Sequence, residues 1–395
     1  MHRLHSPNSP NSPKKQPSKP ESSKAWIWSG GILLLAAVAL SLLARFLPGF
    51  AQGYSSLIYP LLKGSIGRVC SLIPISVSEA GVYGLALFSI CYVIRHRKRP
   101  LAVLSRAFFL ISLLFFVFTV NCGINYYRNP FSYEAGFSMS PSSREELYQL
   151  CEYLVGQINE SAIALKNRPE GSLDYSPITP YPGQTSETPA PPAFYLREMG
   201  KLGREAMSGL GRLYPQLAGW YPYPKPLVNS RLLSVQQLCG IYSPFTIEAN
   251  YNREMPYYNI PHTICHELSH LKGYMREDEA NFIGYLACAG SSSPDFRYSG
   301  YLTGWVYAGN ALAKADWEGY VRLYGQLPPE ALEDLAWNNA FWDSFEGPVA
   351  EASTELNDRY LKVHSQKDGV QSYGRMVDLM LAYYRSQPDP SGSRK

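Results

Sequence analysis

The chain has 395 residues, with 36 Lys and Arg against 32 Asp and Glu, a formal net charge of +4. That balance is too mild for a protein held on nucleic acid by phosphate contacts, so no nucleic-acid partner is expected. Charged residues are 17% of the chain against a usual share of about a quarter, and 46% are hydrophobic, which excludes extensive disorder and places part of the chain outside water.

Residues 1–24 hold the phased run Ser6-Pro7-Asn8-Ser9-Pro10-Asn11-Ser12-Pro13 and then Lys14, Lys15, Lys19 and Lys24, with almost nothing to bury. They predict a disordered basic tail. From Ala25 to Ala44 the chain is apolar and uncharged, long enough at about 1.5 Å per residue to cross a bilayer core of about 30 Å. The apolar part of a cleaved signal peptide is shorter, about 7–15 residues, so a retained anchor is predicted. Between 51 and 70, Pro60, Lys63, Gly64, Gly67 and Arg68 interrupt the apolar pattern, and an interfacial helix is expected there. Leu72–Ile94 reads as a second span, with Pro74 and Glu79 near one end, and stops at Arg95-His96-Arg97-Lys98-Arg99. The third, Leu101–Val120, contains Arg106 near its start and runs into the anchor Asn125-Tyr126-Tyr127-Arg128.

Basic flanks stay cytoplasmic, so the tail and the Arg95–Arg99 cluster put everything after Cys122 outside. The first 122 residues hold 13 basic and two acidic side chains, so the net +4 leaves −7 for the remainder. The expected organisation is a cytoplasmic tail (1–24), a membrane region of three transmembrane helices (25–122), an extracytoplasmic domain (123–386) and a flexible C-terminal tail (387–395). The expected location is the cell membrane, with the lipid bilayer as a partner.

The outer segment reads as mainly helical. Ser142 with Glu145, or Ser143 with Glu146, offers a capping box, after which Leu147, Leu150, Cys151, Leu154 and Ile158 recur at helical spacing. A loop is expected over 168–192, rich in Pro, Ser, Thr and Gly, and helices over 193–213, 299–324 and 329–362. Tyr301–Ala313 is too short for a fourth span and predicts a core helix. Gly240–Asn250, β-branched and aromatic with Pro244 inside, predicts one edge strand to which an extended peptide could add. The seven Cys, with no CxxC pair, form neither a zinc ribbon nor a dense disulfide framework.

The run Pro261-His262-Thr263-Ile264-Cys265-His266-Glu267-Leu268-Ser269-His270 contains H-E-x-x-H. On a helix starting near Asn259, His266 and His270 stand one turn apart on one face and can share a zinc ion. Glu267, rotated by one residue, is placed to take the proton of a water activated by that metal and pass it to a leaving amine. His262 lines up with the pair, but eight residues of helix rise about 12 Å, so His262 and His270 cannot share one metal. His262 is expected on the surface at the helix start, and Cys265 in the core. A third ligand must come from elsewhere. Gly273 can end the helix in a left-handed conformation and reverse the chain into a second helix near Glu277, whose first turn would welcome Glu277, Asp278 and Glu279.

H-E-x-x-H followed by E-x-x-A-N resembles the gluzincin pattern. That resemblance implies Glu277 as the third ligand and Asn281 as the group orienting a ligand histidine. The gap of seven residues from His270 to Glu277 is nearer metzincin spacing, with Arg276 where that pattern has His, so Glu279 stays open as an alternative ligand. The runs GIYSPFTIEAN, HTICHELSHLKGYMREDEANFIGYLAC and Lys367-Asp368-Gly369-Val370-Gln371-Ser372-Tyr373-Gly374, behind three spans, resemble a bacterial membrane family catalogued as domain of unknown function 3810 and classed as zincin-like. The resemblance implies three N-terminal transmembrane helices followed by a mainly helical α+β zincin-like metallopeptidase domain with a small sheet. Tyr373 and Arg375 are candidate donors to a developing oxyanion.

The expected function is a membrane-anchored metallopeptidase with one Zn²⁺ per chain, cutting amide bonds of a protein or peptide substrate. The alternative is a non-catalytic zincin-like metal-binding, sensor or interaction module. A transporter fares worse, since Glu79 alone among three spans makes a poor translocation path.

Overall fold

The computed structural model describes residues 23–168, 192–363 and 374–387. The predicted basic tail before Ser23, most of the predicted 168–192 loop, Tyr373 and the tail beyond Gln387 lie outside the described residues.

Among the described residues three helices are long and apolar enough to cross a membrane: α1 (Ser23–Phe46), α3 (Val77–His96) and α4 (Pro100–Asn121). Between the first two, α2 is a helical run over residues 50–71 containing two π-helical segments, Tyr54–Ile58 and Lys63–Gly67. Tyr54 and Tyr59 on α2 are buried, while Leu57, Ile58, Leu61 and Val69 are exposed, so the run has one face toward the protein and one apolar face left open. α1 packs along α4, where Gly30 lies so close to the Phe108 ring that a Cβ would stand 2.9 Å from it. α3 starts five residues later than the predicted Leu72, because Pro74 occupies the turn before it and Ser76 Oγ accepts from Glu79 N (3.1 Å) to cap its first turn.

Two carboxylates fasten α3 to the rest of the protein. Glu248 accepts from Val77 N (3.2 Å) and Ser78 N (2.8 Å) at the helix start, where the helix dipole favours an anion, and Glu248 is itself paired with buried Lys225. Glu79 reaches back to accept from Val228 N (2.9 Å) and Asn229 N (2.8 Å).

The domain after the spans is mostly helical: α5 (Arg144–Lys166), α6 (Ala193–Leu213), α7 (Asn259–Leu271), α8 (Glu277–Ala289), α9 (Pro294–Ala315), α10 (Trp317–Tyr324), α11 (Pro329–Asp343), α12 (Pro348–Val363) and α13 (Gly374–Ser386). Of the two possible capping boxes, Ser143 with Glu146 forms. The predicted 299–324 helix is broken by Asp316, which caps α10 by accepting from Gly319 N (3.0 Å), and the predicted 329–362 helix is broken ahead of Pro348. The stretch Tyr301–Ala313 lies within α9 and contributes Leu302, Trp305 and Ala308 to the core. α7 and α8 are buried along most of their length, walled by α6, α9 and the sheet.

The predicted single strand is instead a hairpin. β2 (Gly240–Ser243) pairs antiparallel with β3 (Glu248–Tyr251), and β1 (Lys225–Pro226) adds in parallel on the far side of β3, giving the order β1-β3-β2. Pro244 sits in the turn between β2 and β3, and Ile247 closes that turn with φ +52°. A β-branched residue resists that conformation, and burial of its side chain against α2 at Gly67 compensates.

Candidate metal centre

α7 holds His266 and His270 one turn apart and ends where the chain must turn back. Gly273 has φ +89°, its N–H bonds to His270 O (2.8 Å), and the Tyr274 N–H bonds to Ser269 O (3.3 Å). This left-handed reversal lets α8 begin at Glu277 and pack against α7. The two helices touch at Gly284, where a Cβ would stand 3.2 Å from both His266 N and His262 Nε2.

The reversal brings three ligand groups together. Donor atoms of His266, His270 and Glu277 lie within 4.8 Å of one another. Glu277 Oε2 is 3.3 Å from His266 Nε2, and Glu277 Oε1 is 3.6 Å from His270 Nε2. Both imidazoles are held from behind: His266 Nδ1 bonds to Asn281 Oδ1 (2.8 Å) and His270 Nδ1 to Tyr274 O (2.8 Å). With each Nδ1–H donating to an oxygen, each Nε2, once deprotonated, presents its lone pair toward Glu277. Two imidazole lone pairs and a carboxylate converging on one point repel each other unless a cation lies between them. The set of two nitrogens and one oxygen, with its partly exposed side left for a fourth group, has donors that could hold a metal ion such as zinc. The cluster favours a positive charge at this point, and a proton on His266 Nε2 answers the same demand. Burial alone would lower His266, but Glu277 outweighs it and raises His266 to about 9, while burial takes His270 down to about 4. Burial works against ionised Glu277, yet the bond from His266 and the charges of both histidines hold it below the usual carboxylate range.

Glu267 points to the β2 side of α7. It is 4% exposed, and Oε1 lies against Gly240, where a Cβ would meet it at 2.5 Å. Among the described residues Oε2 has no hydrogen-bond partner. Burial pushes its carboxyl up to about 8, opposed by His266 and by the Tyr242 backbone N–H. A cleft of about 290 Å³ opens here, reaching Glu267, His266 and Glu277 and walled further by Tyr307, Asn338 and Trp342.

The chain belongs to the family described as Protein of unknown function (DUF3810), whose model matches residues 54–381. No curated protein and no solved structure matches it. The matched stretch of this DUF3810 member takes in most of α2, the two later spans, the sheet and every residue of the His/Glu cluster.

The remaining predicted residues separate. Glu279 is 3% exposed and turned away from the histidines: its Oε1 accepts from Phe131 N (2.8 Å) and Arg276 Nη1 (3.0 Å). Arg276 also donates to Arg128 O (2.6 Å), so it serves as a strut. Arg375 lies on α13, where its charge acts on Asp278 and Asp378, and it does not line the cleft. His262 is not the surface residue predicted. It is 6% exposed, with Nε2 bonded to Asn281 O (3.0 Å), because α8 approaches so closely at Gly284 that it covers the start of α7. Cys265 is fully buried, as predicted.

Two residues at the site escaped the sequence reading. Gly240 forms the wall behind Glu267, and Tyr307 brings a hydroxyl from α9, its pKa raised by burial, Cys239 and Glu277. An unusual glycine at the head of a β-branched run was the available signal for the first; local sequence carries none for the second.

Proposed function

We propose that this chain is a membrane-anchored, zinc-dependent metallopeptidase with a zincin-like catalytic domain on the extracytoplasmic side. The convergence of His266 Nε2, His270 Nε2 and the Glu277 carboxylate carries the reading. These three residues would hold the zinc, which when bound supplies a Lewis acid that acidifies water and polarises a carbonyl. The chain's own groups do the rest. A cation held beside it would favour the ionised form of Glu267, whose Oε2, buried and without a partner among the described residues, then accepts the proton lost by the attacking water and returns it to the leaving amine nitrogen. Asn281 Oδ1 and Tyr274 O keep each imidazole in the tautomer that leaves Nε2 free. Tyr307, in the cleft wall, supplies a hydroxyl donor near the reacting carbonyl.

β2 is an outer strand of the sheet, and its Tyr242 N–H acts on Glu267, so its unpaired edge runs beside the cleft. An extended peptide adding to that edge would present its backbone to the site. An open cleft at Glu267 favours turnover over a closed binding module. The basic Arg95–Arg99 turn between α3 and α4 supports the orientation.

Full-length protein purified in detergent with zinc should hold about one metal per chain. Glu277→Ala should lose it and Glu279→Ala should keep it. Glu267→Gln should keep the metal and lose hydrolysis of a broad peptide library; equal turnover by this variant and wild type would sink the assignment.

A further inference from the structure

The cleft extends past the metal centre. Acidic and basic side chains line it only at that centre and at His262 beside it, and its remaining polar lining is neutral, with Gln237, Asn259, Asn338 and Trp342 among it. These four come from three parts of the chain: the turn ahead of β2, the first residue of α7, and α11. They fix one another. Asn338 Oδ1 accepts from Asn259 Nδ2 (2.8 Å) and from Trp342 Nε1 (3.0 Å), and Gln237 Nε2 donates to Trp342 O (2.9 Å). Both lone pairs of the Asn338 oxygen are thereby used, which sets the orientation of its amide.

One donor and one acceptor are left over. Among the described residues Asn338 Nδ2 and Gln237 Oε1 have no hydrogen-bond partner, and both residues line the cleft. Polar groups held in place by their neighbours and left open to a cleft are preorganised for a ligand. Gln237 reaches this position from a left-handed backbone, φ +59°, which residues with a side chain rarely adopt. Glycine would hold the turn with less strain, so the turn gives up stability to carry a side chain here.

Size and chemistry narrow the ligand. A cleft of about 290 Å³ that also takes the reacting peptide bond has room for one side chain beside it. A carboxylate there would meet Gln237 Oε1 with no cation to balance it, and an ammonium would meet Asn338 Nδ2 with no anion. An aliphatic side chain would leave both groups unpaired. A primary carboxamide satisfies both, its oxygen accepting from Asn338 Nδ2 and its nitrogen donating to Gln237 Oε1.

We infer, resting on the peptidase reading above, that Gln237 and Asn338 form a specificity subsite for a carboxamide side chain, asparagine or glutamine, next to the scissile bond. Trp342 is the positioning residue: its indole holds Asn338 and its backbone oxygen holds Gln237.

The test uses full-length protein in detergent with zinc and a randomised peptide library, the residues flanking each cut being read by mass spectrometry. At one flanking position Gln or Asn should be favoured over Glu, Lys, Leu and Thr by on the order of tenfold or more in kcat/KM. Asn338→Asp keeps an acceptor for Asn259 and Trp342 and replaces the open donor by an anionic acceptor. It should move the preference to Lys or Arg with zinc content unchanged. Gln237→Gly, which suits φ +59°, should keep zinc and lose the preference. Binding to zinc-loaded Glu267→Gln separates this inference from the hydrolase reading, with fixed peptides that differ only in Gln, Glu or Lys at that position. Retention of the Gln peptide on the order of tenfold over the other two, reversed toward Lys by adding Asn338→Asp, upholds the subsite even where no peptide is cut. Cleavage with no carboxamide preference would overturn the inference and leave the peptidase reading in place. Equal binding of the three peptides would overturn it as well. So would an Asn338→Asp protein that slows uniformly with its preference unchanged, which assigns the pair to the peptide backbone.

Discussion

Gly240→Ala tests whether β2 sets the position of the Glu267 carboxylate. A Cβ at Gly240 would stand 2.5 Å from Glu267 Oε1 and 2.9 Å from Glu267 Cδ, with the Asn250 carbonyl oxygen also at 2.9 Å. A carbon–oxygen contact settles at about 3.3 Å or more, so the carboxylate must retreat by roughly 0.8 Å. The methyl cannot move away instead, because Asn250 belongs to the central strand β3 paired with β2. Gly240 is not among the positive-φ glycines, so alanine meets no φ penalty there, and the 2.9 Å approach to the Asn250 carbonyl oxygen is the one backbone contact to be relieved. A displacement near 1 Å of a reacting group costs about 100-fold in rate, close to 3 kcal/mol of barrier. None of the three proposed ligands is touched, so metal content by elemental analysis should stay at wild-type level while hydrolysis of a peptide pool falls by about two decades. Phe245→Ala, at an exposed position in the adjoining turn, is the control and should change neither readout. Full activity in Gly240→Ala would refute the placement of Glu267 as the base. Loss of metal would refute the claim that the strand acts on Glu267 alone.

Asn281→Ala removes the oxygen that holds His266 Nδ1 and should weaken zinc by about 10–100-fold in chelator competition, with the fold intact by circular dichroism. Gly273→Ala forces a side chain into φ +89° with Arg128 Nη1 3.1 Å from the new Cβ; it should lower stability by about 1–2 kcal/mol in thermal unfolding and loosen zinc, since the same turn positions Tyr274 O on His270. Burial raises Asp334 to about 6, opposed by the Tyr298 hydroxyl that donates to it at 2.6 Å. A raised folded pKa means that this aspartate's contribution is fully present below about 4 and is lost as pH climbs through 6. Asp334→Asn keeps an acceptor for Tyr298 and should therefore remove a loss of up to about 3 kcal/mol between pH 4 and 7.5, seen as a melting temperature that rises relative to wild type across that range. An unchanged difference between the two proteins at both pH values would show that Asp334 does not titrate in this window.

The legible parts of the molecule are those whose physics is local. Apolar runs with few charges and of bilayer length mark α1, α3 and α4, and Pro74, which interrupts the second run, delays α3 to Val77. Helical periodicity puts His266 and His270 on one face, and a glycine where the chain must reverse marks the turn at Gly273. Non-local packing decided the rest. Gly240–Asn250 alternates like one strand, yet burial of Ile247 against α2 bends it into a hairpin, and it is the hairpin that makes β2 an outer strand facing Glu267. His262 looked solvent-facing on α7 until the close approach of α8 at Gly284 covered it.

Glu277 and Glu279 show the boundary most sharply. Both are acids in the first turn of α8, two residues apart, and nothing in that turn alone ranks one above the other as a ligand. Two residues of helix turn a side chain by about 200°, so only one of them can face α7. The Gly273 reversal sets the phase of α8, and Glu277 takes the position opposite His266 and His270. Glu279 then faces the segment that follows α4, where the Phe131 amide and Arg276 satisfy one of its oxygens. One face of this helix start thus holds the proposed metal ligand and the other the joint to the spans. A substitution at Glu279 should accordingly reach the zinc only by loosening α8, and Glu279→Gln, which can still accept from Phe131 N, should leave zinc affinity within a few-fold of wild type.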